Sequence, residues 1–199
     1  MSRRPALVGP ELLFLLFASV ARAGVSPELD AGFAAGAMHL LTEPDHLLAI
    51  TALGLVAGQL GRRALLWVPV SLSAGLALGA LSGGRLPPLE QVEALNSASV
   101  AILGATVALG SPLSVVSSGV LALLFAWGHG YANALDIGGK APPCAFVLGV
   151  MAAAMLVVVF VSVTTGFCRK RWQEIAIRAV GSWICAIGLM VFALRFAGE

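Results

Sequence analysis

Only three histidines occur in this 199-residue chain, and all sit in two short polar interruptions of apolar sequence, HLLTEPDHLLA at 39–49 and HGYANALD at 129–136. Each interruption sets imidazole and carboxylate within a few residues of one another. Ionisable groups surrounded by apolar sequence are costly and tend to mark ion pathways. Imidazole with carboxylate and amide oxygen, and without thiolate, suits Ni²⁺, Co²⁺, Zn²⁺ or Cu²⁺ better than Ca²⁺ or Mg²⁺, which want oxygen shells. The chemistry to expect is ligation of a divalent transition metal.

Spacing says how each cluster must be built. In an unbroken helix His39 and His46 share a face but stand about 10 Å apart along the axis, too far to hold one ion, and Asp45 points elsewhere. Pro44 lacks an N–H and clashes with the preceding turn, so Thr42-Glu43-Pro44 is a place for the helix to break. A break would fold His39, Asp45 and His46 toward one point; the competing reading is a simple kink with each histidine in a separate hydrogen bond. The second cluster needs no break, because His129, Asn133 and Asp136 fall at i, i+4 and i+7 on one helix face. Its competing reading is a helix end with Asp136 solvated.

The elements that carry these clusters have to be membrane helices. With 59% hydrophobic and only 11% charged residues, the chain has under half the charged fraction of soluble domains, roughly 25%. The fold class expected is an all-α polytopic bundle. Residues 1–23 read as a cleavable signal peptide, with Arg3 and Arg4, the apolar stretch LLFLLFASV and small residues Ala21 and Ala23 before the cut. The remainder, 24–199, forms one transmembrane domain of about six spans, near 31–59, 64–82, 93–110, 114–134, 144–166 and 176–197. Arg62 and Arg63 lie in the first loop and Arg169, Lys170 and Arg171 in the fifth, which by the positive-inside rule makes that side cytoplasmic and the mature N-terminus external. Gly32/Gly36, Gly54/Gly58 and Gly75/Gly79 are spaced four apart, as helices that approach closely in lipid require. Clusters on spans one and four suggest two inverted three-span halves, with the clusters facing one another near the midplane.

The two strings also resemble the HupE/UreJ family of hydrogenase and urease accessory membrane proteins, whose first span reads approximately GFxxGxxHPLxGxDHLLAM and whose fourth reads HGxAHGxE. Here GFAAGAMHLLTEPDHLLAI at 32–50 keeps Gly32, Phe33, Gly36, His39, Asp45, His46, Leu47, Leu48 and Ala49, while HGYANALD keeps His129, Gly130 and Ala132. Glu93 and Ser99 fall where the family's third span has a glutamate and a serine. The departures are Leu40 for the motif proline, Glu43 for the motif glycine, Asn133 for the second histidine of span four and Asp136 for a glutamate. The resemblance implies a nickel or cobalt permease of a bacterial-type inner membrane, with His39, Asp45, His46, Glu93, His129, Asn133 and Asp136 as the residues that meet the ion.

The expected function is transport of Ni²⁺ or Co²⁺, with Zn²⁺ or Cu²⁺ open at this stage, supplying metalloenzyme maturation. No permanently bound cofactor and no enzymatic activity are expected, and Glu43, Glu90, Glu93 and Asp136 would concentrate cations at the outer mouth. The partners expected are the metal ion and the lipid bilayer, and a homo-oligomer is compatible with both. Two other classes compete: a membrane metallochaperone or scaffold that does not transport, and an intramembrane metal-dependent hydrolase, which lacks an HExxH or a second HxxxxDH for its ligands and base. No basic stripe with interleaved aromatics points to nucleic acid, and no P-loop points to ATP. Cys144, Cys168 and Cys185 form no CxxC and read as small apolar residues.

Overall fold

The computed structural model describes residues 27–87, 89, 91–110, 113–136 and 144–197. The export signal expected at 1–23 and Glu90 lie outside them. Seven helices follow in chain order: α1 (Pro27–Thr42), α2 (Pro44–Leu60), α3 (Ala64–Gly83), α4 (Val92–Leu109), α5 (Val115–Asp136), α6 (Cys144–Phe167) and α7 (Arg171–Ala197), and the described residues contain no strand. The last five are each long and apolar enough to cross a membrane, and α1 with α2 makes a sixth span bent by 78°. The protein is a multi-pass membrane protein.

The bend follows from local chemistry. A proline disfavours the helical conformation in the residue before it, and Glu43 is extended, with φ −88° and ψ 111°. Pro44 then serves as a first-turn residue of α2, where a missing N–H costs nothing. The break leaves few backbone groups without partners: Glu43 N–H still donates to the His39 carbonyl at 3.0 Å, and the Thr42 hydroxyl donates to the Met38 carbonyl at 2.8 Å. Elsewhere the spans match the hydropathy pattern, except that α7 starts five residues earlier than its apolar stretch. Its polar first turn is capped, because Gln173 Oε1 accepts from the backbone N–H of Arg169 and Lys170.

Glycine contacts give the direction in which each helix runs past its neighbour. Along α6, Gly32 and Gly36 meet Ala145 and Phe146, whereas Gly54 and Gly58 meet Val158 to Thr165. The second arm of the bent pair therefore lies farther along α6 than the first, so the pair crosses the bundle once and does not turn back. Gly75, Gly79 and Gly83 meet Leu123, Trp127 and Tyr131 in turn, which makes α3 parallel to α5. Gly104 meets Cys185 and Gly188 meets Ala101, which makes α4 and α7 antiparallel. These are the directions that six alternating spans demand.

The same contact is built twice. A Cβ on Gly36 would overlap the Phe146 carbonyl and one on Gly149 the Phe33 carbonyl; likewise Gly79 faces the Trp127 carbonyl and Gly130 the Leu76 carbonyl. In all four helices the glycine lies three residues after the carbonyl. Exchanging the first three spans for the last three matches the residues of one contact to those of the other and sets Gly36-x-x-His39 against Gly130-x-x-Asn133. This packing has the pattern of inverted repeats.

Candidate metal site

His39 ends α1 and His46 begins α2, so the break between them replaces an axial separation of about 10 Å with ring centroids 5.4 Å apart. His129 on α5 completes a row, its ring 4.7 Å from that of His46. Ligand atoms of Asp45, His46 and His129 all lie within 4.8 Å of one another. His46 and His129 are buried, at 5% and 4% exposure. Ser99 and His129 stand within about 5 Å of the midpoints of α4 and α5, counted at 1.5 Å per residue.

Hydrogen bonds tie the row together. Asn133 Oδ1 lies 3.0 Å from His39 Nε2 and 2.7 Å from His46 Nε2, so one carboxamide holds both imidazoles. His46 Nδ1 lies 3.1 Å from Asp45 Oδ1. His129 Nε2 lies 3.2 Å from the Ser99 hydroxyl. His39 also packs against Phe146 of α6, centroid to centroid 5.5 Å. Among the described residues, two buried side-chain polar atoms have no hydrogen-bond partner, Asn96 Oδ1 and His129 Nδ1.

On the side toward Leu60 and Ala64 the cluster borders a small apolar cavity. His46 and His129 form its roof, with Leu53, Leu72, Leu76 and Phe125 among the walls. A second cavity lies beside Asn133, bounded by Leu76, Phe146 and Val150. Among the described residues, neither offers a carboxylate to carry an ion farther.

Of the residues singled out from sequence, His39, Asp45, His46, His129 and Asn133 come together. Glu93 does not. It lies at the start of α4 and pairs with Arg195 near the end of α7, whose Nε also donates to Ser97 Oγ at 3.1 Å. Asp136 closes α5, and its side chain lies outside the described residues. None of the three cysteines joins the cluster. Asn96 is not among the sequence candidates, although it is buried at 4% and its Nδ2 donates to the Gly128 carbonyl just before His129. The signal for it is a polar residue three positions after Glu93 and three before Ser99, on one face of an apolar helix.

Fold and site together define a polytopic helical membrane protein with a buried His/Asp/Asn cluster between its two halves. Residues 12–191 match the HupE / UreJ protein family. Protein HupE of Rhizobium leguminosarum bv. viciae is 30% identical over 149 residues, covering 73% of this chain and 75% of that protein. The chain belongs to the HupE/UreJ family. No solved structure matches it.

Proposed function

We propose that the protein is a permease for a divalent transition-metal ion, Ni²⁺ first and Co²⁺ next, that supplies metalloenzyme maturation of the hydrogenase or urease kind. The observation that carries this reading is the convergence of Asp45, His46 and His129, from two spans in different halves, with both imidazoles buried. A structural histidine needs one hydrogen bond; three potential ligands within 4.8 Å suit an ion. Two imidazoles and a carboxylate favour borderline cations. A set this small also lets the ion leave, as a permease requires.

The cavity that His46 and His129 border is otherwise lined by apolar side chains. Transport therefore requires the halves to move relative to one another, exposing the cluster first to one side and then to the other. The Asn133 amide occupies Nε2 of both His39 and His46, so loading an ion on those atoms also displaces the amide. With Arg62, Arg63, Arg169, Lys170 and Arg171 cytoplasmic, the protein sits in the inner membrane with its mature N-terminus outside. Residues 1–23 act as the export signal. Glu43 and Glu93 then lie on the external approach, and the ion rather than a resident cofactor is what the site holds.

Uptake of radiolabelled Ni²⁺ and Co²⁺ into proteoliposomes tests the reading, with intact protein compared to His46→Ala and His129→Ala. Both variants are expected to lose at least about tenfold in uptake, the lower end of what a perturbed metal shell costs. Equal uptake by all three proteins would refute the route. Binding without uptake would favour a metallochaperone instead.

A further inference from the structure

The Ser99 hydroxyl lies 2.6 Å from the backbone carbonyl of Asn96. Two oxygens come this close only with a proton between them, and a serine hydroxyl has one proton to give. The same Oγ is 3.2 Å from His129 Nε2, and its proton is already spent. Ser99 can therefore only accept there, so Nε2 must carry the hydrogen. In a neutral imidazole the other nitrogen then has the lone pair. That nitrogen, Nδ1, is buried and has no hydrogen-bond partner. Ser99 itself is wholly buried, which leaves no solvent to reverse the polarity of its bond.

We infer that Ser99 is a positioning residue that fixes His129 in the Nε2–H tautomer, presenting Nδ1 as its metal-donor atom. The assignment of Nδ1 to a metal rests on the transport reading; the tautomer does not. A buried imidazole with an unpaired lone pair is held in an unfavourable state, and a cation would satisfy it. Asn96 supports the arrangement from the same helix. Its backbone carbonyl takes the Ser99 proton, and its side-chain Nδ2 donates to the Gly128 carbonyl at 3.4 Å, holding the turn that leads into His129. Gly128 leaves room for this approach, since a Cβ there would stand 2.6 Å from Asn96 Oδ1.

Solid-state NMR of the full chain in lipid bilayers, labelled with ¹⁵N and ¹³C at histidine, reads the tautomer directly. With three histidines, comparison to His129→Gln assigns the His129 signals. The metal-free protein is expected to show His129 protonated at Nε2 and bare at Nδ1. Zn²⁺, as a diamagnetic probe, is expected to shift Nδ1 and leave Nε2 protonated. Ser99→Ala removes the acceptor and should populate the other tautomer, with apparent Zn²⁺ affinity falling about tenfold, the loss typical for a group that orients a ligand. Ser99→Thr keeps the hydroxyl and should retain the original tautomer. A proton on Nδ1 in the unmodified protein would overturn the inference, whatever the variants do. So would an unchanged tautomer in a folded Ser99→Ala. If no histidine responds to Zn²⁺, the transport reading and the donor role of Nδ1 both fall, while the metal-free spectrum still decides what Ser99 does.

Discussion

Replacing Asn133 by leucine, which nearly preserves shape, should weaken the metal-free protein and tighten its hold on metal. In the intact protein the carboxamide oxygen serves His39 Nε2 at 3.0 Å and His46 Nε2 at 2.7 Å. Asn133 is itself buried, at 4% exposure, so water cannot replace it. His46 Nε2 is buried, and leaving it unpaired costs about 1–3 kcal/mol; His39 is half-buried and open to solvent, so Asn133→Leu should lose about 1–3 kcal/mol of stability without metal. Binding shifts the other way. An ion that takes both Nε2 atoms in the intact protein must first break two hydrogen bonds with a net worth of about 1 kcal/mol each. Removing that competition amounts to about 2 kcal/mol, or a Kd lower by roughly 30-fold. Thermal unfolding in nanodiscs with and without Co²⁺, together with calorimetric titration of Co²⁺, measures both quantities. The expected pattern is a lower Tm without metal and a larger rise on adding it. Weaker Co²⁺ binding in a folded Asn133→Leu would refute this reasoning and make the amide a ligand rather than a competitor.

The remaining expectations concern ion choice, packing and orientation. Asn133→His supplies a third imidazole beside His39 and His46 and should change the ratio of Ni²⁺ to Co²⁺ uptake; an unchanged ratio would remove position 133 from the route. Gly36→Ala drives a methyl into the Phe146 carbonyl and should cost about 1–3 kcal/mol, whereas Gly166→Ala, with nothing within 4 Å of its Cβ position, should leave the unfolding temperature unchanged or raise it. Equal Tm values for the two variants would contradict the close contact of α1 and α6. Cys144 and Cys168 lie at opposite ends of α6, so a membrane-impermeant maleimide added to intact spheroplasts should label Cys144 and spare Cys168. Labelling of Cys168 alone would reverse the proposed orientation.

What could be read in the sequence was what local chemistry dictates. Pro44 acts on its immediate neighbour, so the break at Glu43 and the convergence of His39 with His46 follow from three adjacent residues. Helical spacing likewise places His129 and Asn133 on one face. Hydropathy locates the spans, although it stops at the last apolar residue and therefore starts α7 late, where Gln173 extends the helix into polar sequence. Contacts between distant segments were not legible. Nothing local says that Glu93 turns to Arg195, 102 residues away, that one amide serves both first-span histidines, or that Ser99 faces His129. Each depends on which helices lie side by side, and the periodicity of a single helix carries no record of its neighbour.

The two arms of the bent span rest on α6, and α3 rests on α5, so each seam joins a helix from the first half of the chain to one from the second. During synthesis Gly36 must therefore wait for Phe146, some 110 residues behind it, which at about 5–20 residues per second is a delay of roughly 5–20 s. For that interval the bent span has no matching groove. Its glycine face and its histidines are exposed to lipid or to insertion machinery, and neither half can mature before the other is made. A chain cut between α4 and α5 would leave both fragments without their principal mates, and function should return only when the two are produced together in one membrane.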